Sequence, residues 1–543
     1  MTRMNRRTLL GGTLAVLAAP GLVGCSTVTR STDVAAINAP VALPTYRRFA
    51  GPAPDLPTVD PRMPDAYRTF PAERPVVLGG RTPGDGTPFT GSTRTVSPIP
   101  PTQDRNAYWQ ELNARLGSRV DVTITPDADY ASKFATSVAG DVLGDVFNVD
   151  VDFPYLPQFL EARAHDLTEF LSGDAILDYP FLANIPTESW RSCVYSGGIY
   201  AVPVPRGVLN TEQLFCRADL FAERGVGTDF GSVDDLIGMA RELTDVPANR
   251  WAFCQVPDIV LSRMLGLPNT WALDGPRFVY YRELDGFKDV LDIGARLIRE
   301  GLVHPDSVSV SRADLKLWFN EGSGLMAQDT FPGLNAYYQQ NVAGDSYEIA
   351  LPVVPGPDGG PGPLWVGPSN HSITALDKAS PERIRTMLSL LNWLATPFGS
   401  EEYLFRRYGT EGRHFAFEGG QPVQNDLGAS ETALSAFPTQ YLVDCPMPIY
   451  YAGHPEATDM VYDNLVASMP AAVTNATSGL YSPTKSIKGK SLYKALDDTR
   501  NQIFLGRLPV SAWDEAIADW RRGGGDQMRA EYEQALAARG QEA

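Results

Sequence analysis

Histidine, cysteine, basic charge and long apolar runs are all scarce in this 543-residue chain, and each scarcity removes a class of function. The five histidines, His165, His304, His371, His414 and His454, are scattered without metal-ligand spacing. Asp145, Asp150 and Asp152 lack the glycine and closing glutamate of a calcium loop, so no metal ligands are assigned and a structural calcium is left open. Gly489-Lys490-Ser491 ends like a phosphate loop, but the upstream glycine position is Thr484, and no G-x-S-x-G elbow is present. Glu401 and Glu402 are neighbours in a helical stretch, which makes a solvated face more often than the facing acid pair of a glycosidase. These gaps argue against an enzyme and against any cofactor. With 46 Lys and Arg against 64 Asp and Glu the net charge is −18, which repels a phosphate backbone and excludes nucleic acid as a partner held by charge.

The one long apolar run is at the start. Arg6 and Arg7 precede Leu9 to Val23, a run broken by Gly11, Gly12 and Pro20 and shorter than the ~20 residues a spanning helix needs. It ends in Leu22-Val23-Gly24-Cys25, a lipobox, so 1–24 reads as a lipoprotein signal peptide and Cys25 as the lipidated N-terminus of the processed chain. The paired arginines resemble a twin-arginine export signal, although Asn5 stands before them. The expected location is the extracytoplasmic face of the cell membrane. Cys193, Cys216, Cys254 and Cys445 remain, free of any CxxC pair, and read as small buried thiols with disulfides left open.

What is present is a large apolar reserve. At 43% apolar composition and this length the chain exceeds what one core usually supports, so two lobes are expected. Between Asn38 and Pro75 nine prolines and no apolar periodicity predict a stiff, mostly unpacked tether over 25–75. A first strand is predicted at Arg74 to Leu78, followed by a glycine-rich loop over Gly79 to Gly91. The helix-spaced Tyr108, Trp109, Leu112 and Leu116 and the alternating Val120 to Ile124 then open an α/β lobe. Trp393, Trp513 and Trp520 fall in helix patterns, as does Trp109, and read as core.

The stretch Ile185 to Phe221 organises the rest. Cys193 to Tyr195 and Ile199 to Val204 flank Ser196-Gly197-Gly198 as a hairpin, and Pro203 and Pro205 then take the chain out of its sheet. A new apolar run restarts at Leu214, so this is a crossing between lobes. Tyr347 to Gly367 reads as a second crossing. The short tryptophan-bearing helix, the glycine hairpin, Ile199-Tyr200-Ala201-Val202-Pro203 and the run into Arg217-Ala218-Asp219-Leu220-Phe221 resemble extracellular solute-binding proteins of ABC importers. GSEEYLFRRYGTEGRHFAF after Pro397 and the closing helices from Val510 resemble the long oligosaccharide-binding lipoprotein branch.

That resemblance implies an α/β, two-lobed periplasmic-binding-protein-like fold (type II), with crossing strands joining the lobes around a ligand cleft. Its boundaries would be 76–205 plus 366–430 for the N-terminal lobe and 206–365 plus 431–543 for the C-terminal lobe. It implies an oligosaccharide ligand, the transmembrane subunits of an ABC permease as partner, membrane attachment through Cys25, and a monomer. Sugars need flat apolar faces and paired hydrogen-bonding groups. Aromatics at loop ends supply the first: Tyr155, Trp251, Trp271, Phe331, Trp365 and Tyr450, with Phe331 at the position where the family brings an aromatic ring into the cleft. Arg206 at the crossing supplies a donor fork, and Asp152 and Asp258 supply acceptors. Asn370 and His371 follow as weaker candidates. A surface glycan-processing enzyme and a binder of peptides or another solute share enough of this reading to remain alternatives.

Overall fold

The computed structural model describes residues 36–309, 311–341, 344 and 347–540; the signal peptide and Cys25 lie outside the described residues. Two sheets are built from β1 (Phe89–Thr95), β2 (Val120–Pro126), β3 (Val146–Val149), β4 (Val202–Pro205), β5 (Glu212–Arg217), β6 (Trp251–Phe253), β7 (Gly324–Thr330), β8 (Ile349–Ala350) and β9 (Asn370–Leu376). The first sheet has the order β2-β1-β3-β9-β4, and the second β8-β5-β7-β6. β1 runs parallel to β2 and β3, whereas β9 is antiparallel to β3 and β4. In the second sheet β7 is parallel to β6 and antiparallel to β5.

Each sheet is covered by helices whose apolar stripes make a core. On the first lobe, α1 (Ala107–Leu116) is capped by Asn106, whose side chain accepts from the Trp109 N–H, and it buries Tyr108, Trp109, Leu112 and Leu116. On the second, α2 (Gly286–Arg299) turns Phe287, Val290, Leu291 and Leu297 inward. Back on the first lobe, α3 (Pro381–Leu394) starts with Ser380 as cap and Pro381 in its first turn, and it buries Ile384, Met387, Leu388 and Leu391. α4 (Glu401–Tyr408) follows it. α5 (Pro455–Ser468) and α6 (Pro483–Phe504) belong to the second lobe. The first core holds Phe89, Phe147, Trp190 and Trp393, and the second Leu214, Phe253, Trp513 and Trp520. No helix of the described residues is long and apolar enough to cross a membrane.

The connections between lobes lie side by side. The N–H groups of Arg206 and Gly207, just past β4, both donate to the Ser369 carbonyl on the way into β9, at 2.8 and 3.1 Å. Gly367 is required there, since a Cβ at this position would stand 2.0 Å from the Asn210 carbonyl oxygen. A third passage follows Asp444, because Phe437, Leu442 and Val443 pack in the first core while Ile449 and Ala457 pack with Phe215 and Ala327 of the second sheet. The return thus lies later than the expected boundary at 430.

Two further expectations are corrected. No strand forms at Arg74 to Leu78; the Val77 and Leu78 N–H groups instead donate to the Glu402 carboxylate, both at 3.1 Å. The first strand is the glycine- and threonine-rich β1, whose small residues lack an alternating signal but let strands approach. A Cβ on Gly91 would meet the Val146 carbonyl oxygen at 2.3 Å. Nor is 38–75 an unpacked tether. Asn38 bonds Val194 and Gly197, and the Phe49 N–H donates to Asn184, all on the first lobe. Met63 and Ala66 are buried against the second, where Ala66 bridges Ile449. The prolines straighten this strap; scattered apolar residues, without period, glue it down.

Candidate functional site

A cavity of about 840 Å³ lies between the lobes, within the size range of ligand pockets. Val151 and Asp152 reach it from just beyond β3, Ile259 from beyond β6, and Thr330 from the end of β7. Both sheets therefore point strand carboxyl ends at it, which is where open α/β sheets leave a crevice. The strap closes one side with Asn38, Val41 and Leu43. The crossing from Trp365 to Asn370 and residues of the segment from Asn475 to Ser486 complete the lining.

The lining combines four aromatic residues with neutral polar groups and small aliphatic ones. Trp365, Tyr281, Tyr195 and Tyr481 contribute rings. Trp365 is 7% exposed and held by its indole N–H, which donates to the Leu267 carbonyl at 2.9 Å, with the Tyr281 ring at 81° to it and 5.0 Å away. Asn370 Nδ2 donates to the Ser189 carbonyl and to Ser192 Oγ, both at 2.7 Å, which fixes its amide while Oδ1 is buried with no donor. Glu212 accepts from Arg312 Nη2 at 2.6 Å through Oε1, and its Oε2 is likewise buried without a donor. Burial pushes the Glu212 carboxyl up against the pull of Arg312. Burial draws the Lys485 ammonium down, with Asp152 acting in the opposite sense. At the cavity edge Ser486 on α6 ties the lobes: its hydroxyl donates to the Phe153 carbonyl at 2.8 Å and accepts from the Tyr155 N–H at 3.1 Å. Among the described residues no group of three or more His, Cys, Asp or Glu side chains is placed to hold a metal ion.

No family model matches the sequence. The polygalacturonan/rhamnogalacturonan-binding protein YtcQ of Bacillus subtilis (strain 168) is 22% identical over 458 residues, which is 80% of this chain and 89% of that protein. The substrate-binding protein FusA of an ABC transporter of S. pneumoniae, solved in complex with kestose, superposes with a TM-score of 0.63 at 14% identity, over 84% of this chain and all of that one. The N-glycan transport solute-binding protein NgtS of Streptococcus pneumoniae does so with a TM-score of 0.60 at 14% identity and the same coverage. The chain has the two-lobed fold of solute-binding proteins.

Within that fold the expected site residues divide. Asp152 and Trp365 line the cavity, as does Asn370. The others do not, for separate reasons. Phe331 is 0% exposed and packs with Leu334 and Tyr337; its neighbour Thr330 faces the cavity, so the strand end is in place and the ring points the other way. Trp271 is 2% exposed, 5.1 Å from Tyr280 and 5.9 Å from Trp520, while Asn269 and Thr270 before it reach the cavity. Arg206 stands 3.9 Å from the buried Asp444, beside Arg406 and Arg407, and belongs to the hinge. His371 is close by and packs near Tyr441. Asp258 is paired with Arg500 at 2.7 Å beside a smaller cavity of about 200 Å³. Trp251 packs on His304, and the Tyr450 hydroxyl donates to Gln421 within a cluster with Phe70 and Phe398. Tyr155 is 49% exposed at a left-handed φ of 56° and contributes only its backbone to the lobe tie.

Tyr281, Tyr481, Lys485 and Glu212 were not foreseen. Glu212 opens a strand and Lys485 lies in the first turn of a helix, so their signal was position at an element end. The four cysteines proved buried and unpaired, with burial raising each thiol.

Proposed function

We propose that this chain is the ligand-capturing component of an ABC importer, that its ligand is a carbohydrate of oligosaccharide size, and that the lobes close on the ligand and hand it to a membrane permease. The observation that carries this reading is the cavity itself: strand ends of both lobes converge on it, and aromatic rings stand there among amides and hydroxyls. Sugars present C–H faces to the rings and hydroxyls to the amides. The ligands of the similar proteins, polygalacturonan or rhamnogalacturonan, kestose and N-glycans, support the same class. Contacts from both lobes would shift an open-to-closed equilibrium, and the closed shape is what the permease would recognise. The lipobox supports processing at Cys25 and residence on the outer face of the cell membrane. Incorporation of labelled palmitate into the chain, lost in Cys25→Ser, is the check on that part.

The test of the ligand class is a thermal-unfolding screen against mono- and oligosaccharides, uronates and short peptides, with recovery of the ligand. A ligand at about 100-fold its dissociation constant stabilises by about 2.7 kcal/mol. An oligosaccharide that raises the midpoint and is recovered intact is the expected result. A shift with peptides alone removes the carbohydrate reading, and a sugar recovered cut removes the non-enzymatic one.

A further inference from the structure

The charges around the cavity carry the ligand class one step further, resting on the carbohydrate reading above. Its acidic and basic lining residues are Asp152, Glu188, Arg191, Glu212 and Lys485. Two of the acids already hold guanidinium groups. Arg191 Nε donates to both oxygens of Glu188, at 3.1 and 2.9 Å, and Glu212 holds Arg312. What remains is one group of each sign. Asp152 comes from the first lobe and Lys485 from the second; they interact across the cleft through charge, without a direct ion pair among the described residues.

The rest of the polar wall is neutral, with Asn210, Asn269, Thr330, Asn475 and Thr477 among its side chains. Two buried acceptors, Glu212 Oε2 and Asn370 Oδ1, lack a donor. A partner that satisfies them must bring O–H or N–H groups. A carboxylate has neither, so a uronate carboxylate placed against these atoms leaves both acceptors unsatisfied. A polyuronate carries one such group on every sugar, and among the described residues this cavity offers a single cation outside an ion pair to set against them.

We propose that the cavity takes an uncharged oligosaccharide and discriminates against polyuronate chains, with Asp152 accepting from and Lys485 donating to ligand hydroxyls across the cleft. This departs from the polygalacturonan in the name of the Bacillus subtilis relative. It places selectivity in the Asp152 and Lys485 charges that face each other across the cleft and in the donor-less acceptors.

The experiment is calorimetric titration of the full chain in detergent with matched pairs of oligosaccharides. Galacturonan, mannuronan and glucuronan oligomers are each set beside the same oligomer after carboxyl reduction, with neutral fructans, glucans and N-glycans added. The expected result is that the tightest binder is neutral, that each acid form binds at least about tenfold more weakly than its reduced partner, and that affinity for the neutral binder changes little from low to half-molar salt. Lys485→Gln should then weaken the neutral ligand by up to about tenfold, with the salt dependence still flat. A uronate as tightest binder, or a salt-sensitive affinity abolished by Lys485→Gln, overturns the proposal and leaves the carbohydrate reading standing. Absence of binding by every sugar, acid and neutral, removes both.

Discussion

Tyr481 and Phe331 stand on opposite sides of the distinction that matters at the scale of single residues, between a ring that lines the cavity and one that fills a core. Tyr481 is half-buried on the cavity wall. Its replacement by alanine should weaken sugar binding by roughly tenfold through lost stacking, with a small change in unfolding midpoint. Phe331→Ala should behave in the reverse way. The ring is fully buried, so its removal should cost about 3 to 5 kcal/mol in denaturant unfolding while the ligand contacts are left in place. A large loss of affinity at unchanged stability would return Phe331 to the cleft. His371 supplies a prediction in pH. Burial first, then Arg206 and Arg94, pushes its imidazole down to about 4. The unfolded chain, with a histidine near its ordinary value of 6.5, takes up the proton first as pH falls. Stability should therefore be full above that value and decline towards about pH 4, by up to about 3 kcal/mol from this group. His371→Gln should flatten that part of the profile when unfolding is followed by fluorescence.

Elements were the most legible level of the sequence, where their signals were strong. α3 announces itself by Ser380, Pro381 and a run of apolar residues at helical spacing. Pro203 and Pro205 do not end the strand as expected: both lie within β4 and pair with Ile373 and Asn370 of β9, which is possible because β4 is the edge of its sheet, and the chain leaves the sheet only at Arg206. β1 was invisible because Phe-Thr-Gly-Ser-Thr-Arg-Thr has no alternation; what makes it a strand is the close approach of its neighbours on both sides, a property of the assembled sheet. The side chains that line the cavity were harder still. Which of two adjacent residues at a strand end faces the cleft depends on register, and Thr330 against Phe331 was decided by pairing with β5. Two variants probe this level. Gly367→Ala must push apart the two crossings, since its Cβ would lie 2.0 Å from the Asn210 carbonyl oxygen, and should cost at least about 2 kcal/mol and alter ligand affinity. Ser486→Ala removes the hydroxyl that ties α6 to Phe153 and Tyr155. It should enlarge the ligand-free radius of gyration in small-angle scattering, and an unchanged radius would show that the tie does not hold the lobes.

At the scale of the whole molecule the two-lobed plan followed from length, apolar content and the crossing stretch, while the strap did not. Its prolines match the composition of a linker, and only the burial of Met63, Ala66 and Phe70 shows that it is part of the body. Because it touches both lobes, removing 36–75 should lower stability as well as open the side of the cavity that Asn38, Val41 and Leu43 close. A truncated chain with an unaltered unfolding midpoint would mean that the strap is only laid on the surface. The strap also sets a distance. With a lipid on Cys25 as proposed, the leash to Asn38, the first residue hydrogen-bonded to the body, is no longer than about 47 Å when fully drawn out, where a loose tether running to Val76 would allow on the order of 180 Å. The volume the body can explore shrinks with the cube of that reach. A captured sugar is thereby confined to a shell next to the bilayer, at an effective concentration set by chain geometry and independent of how much ligand the surroundings contain.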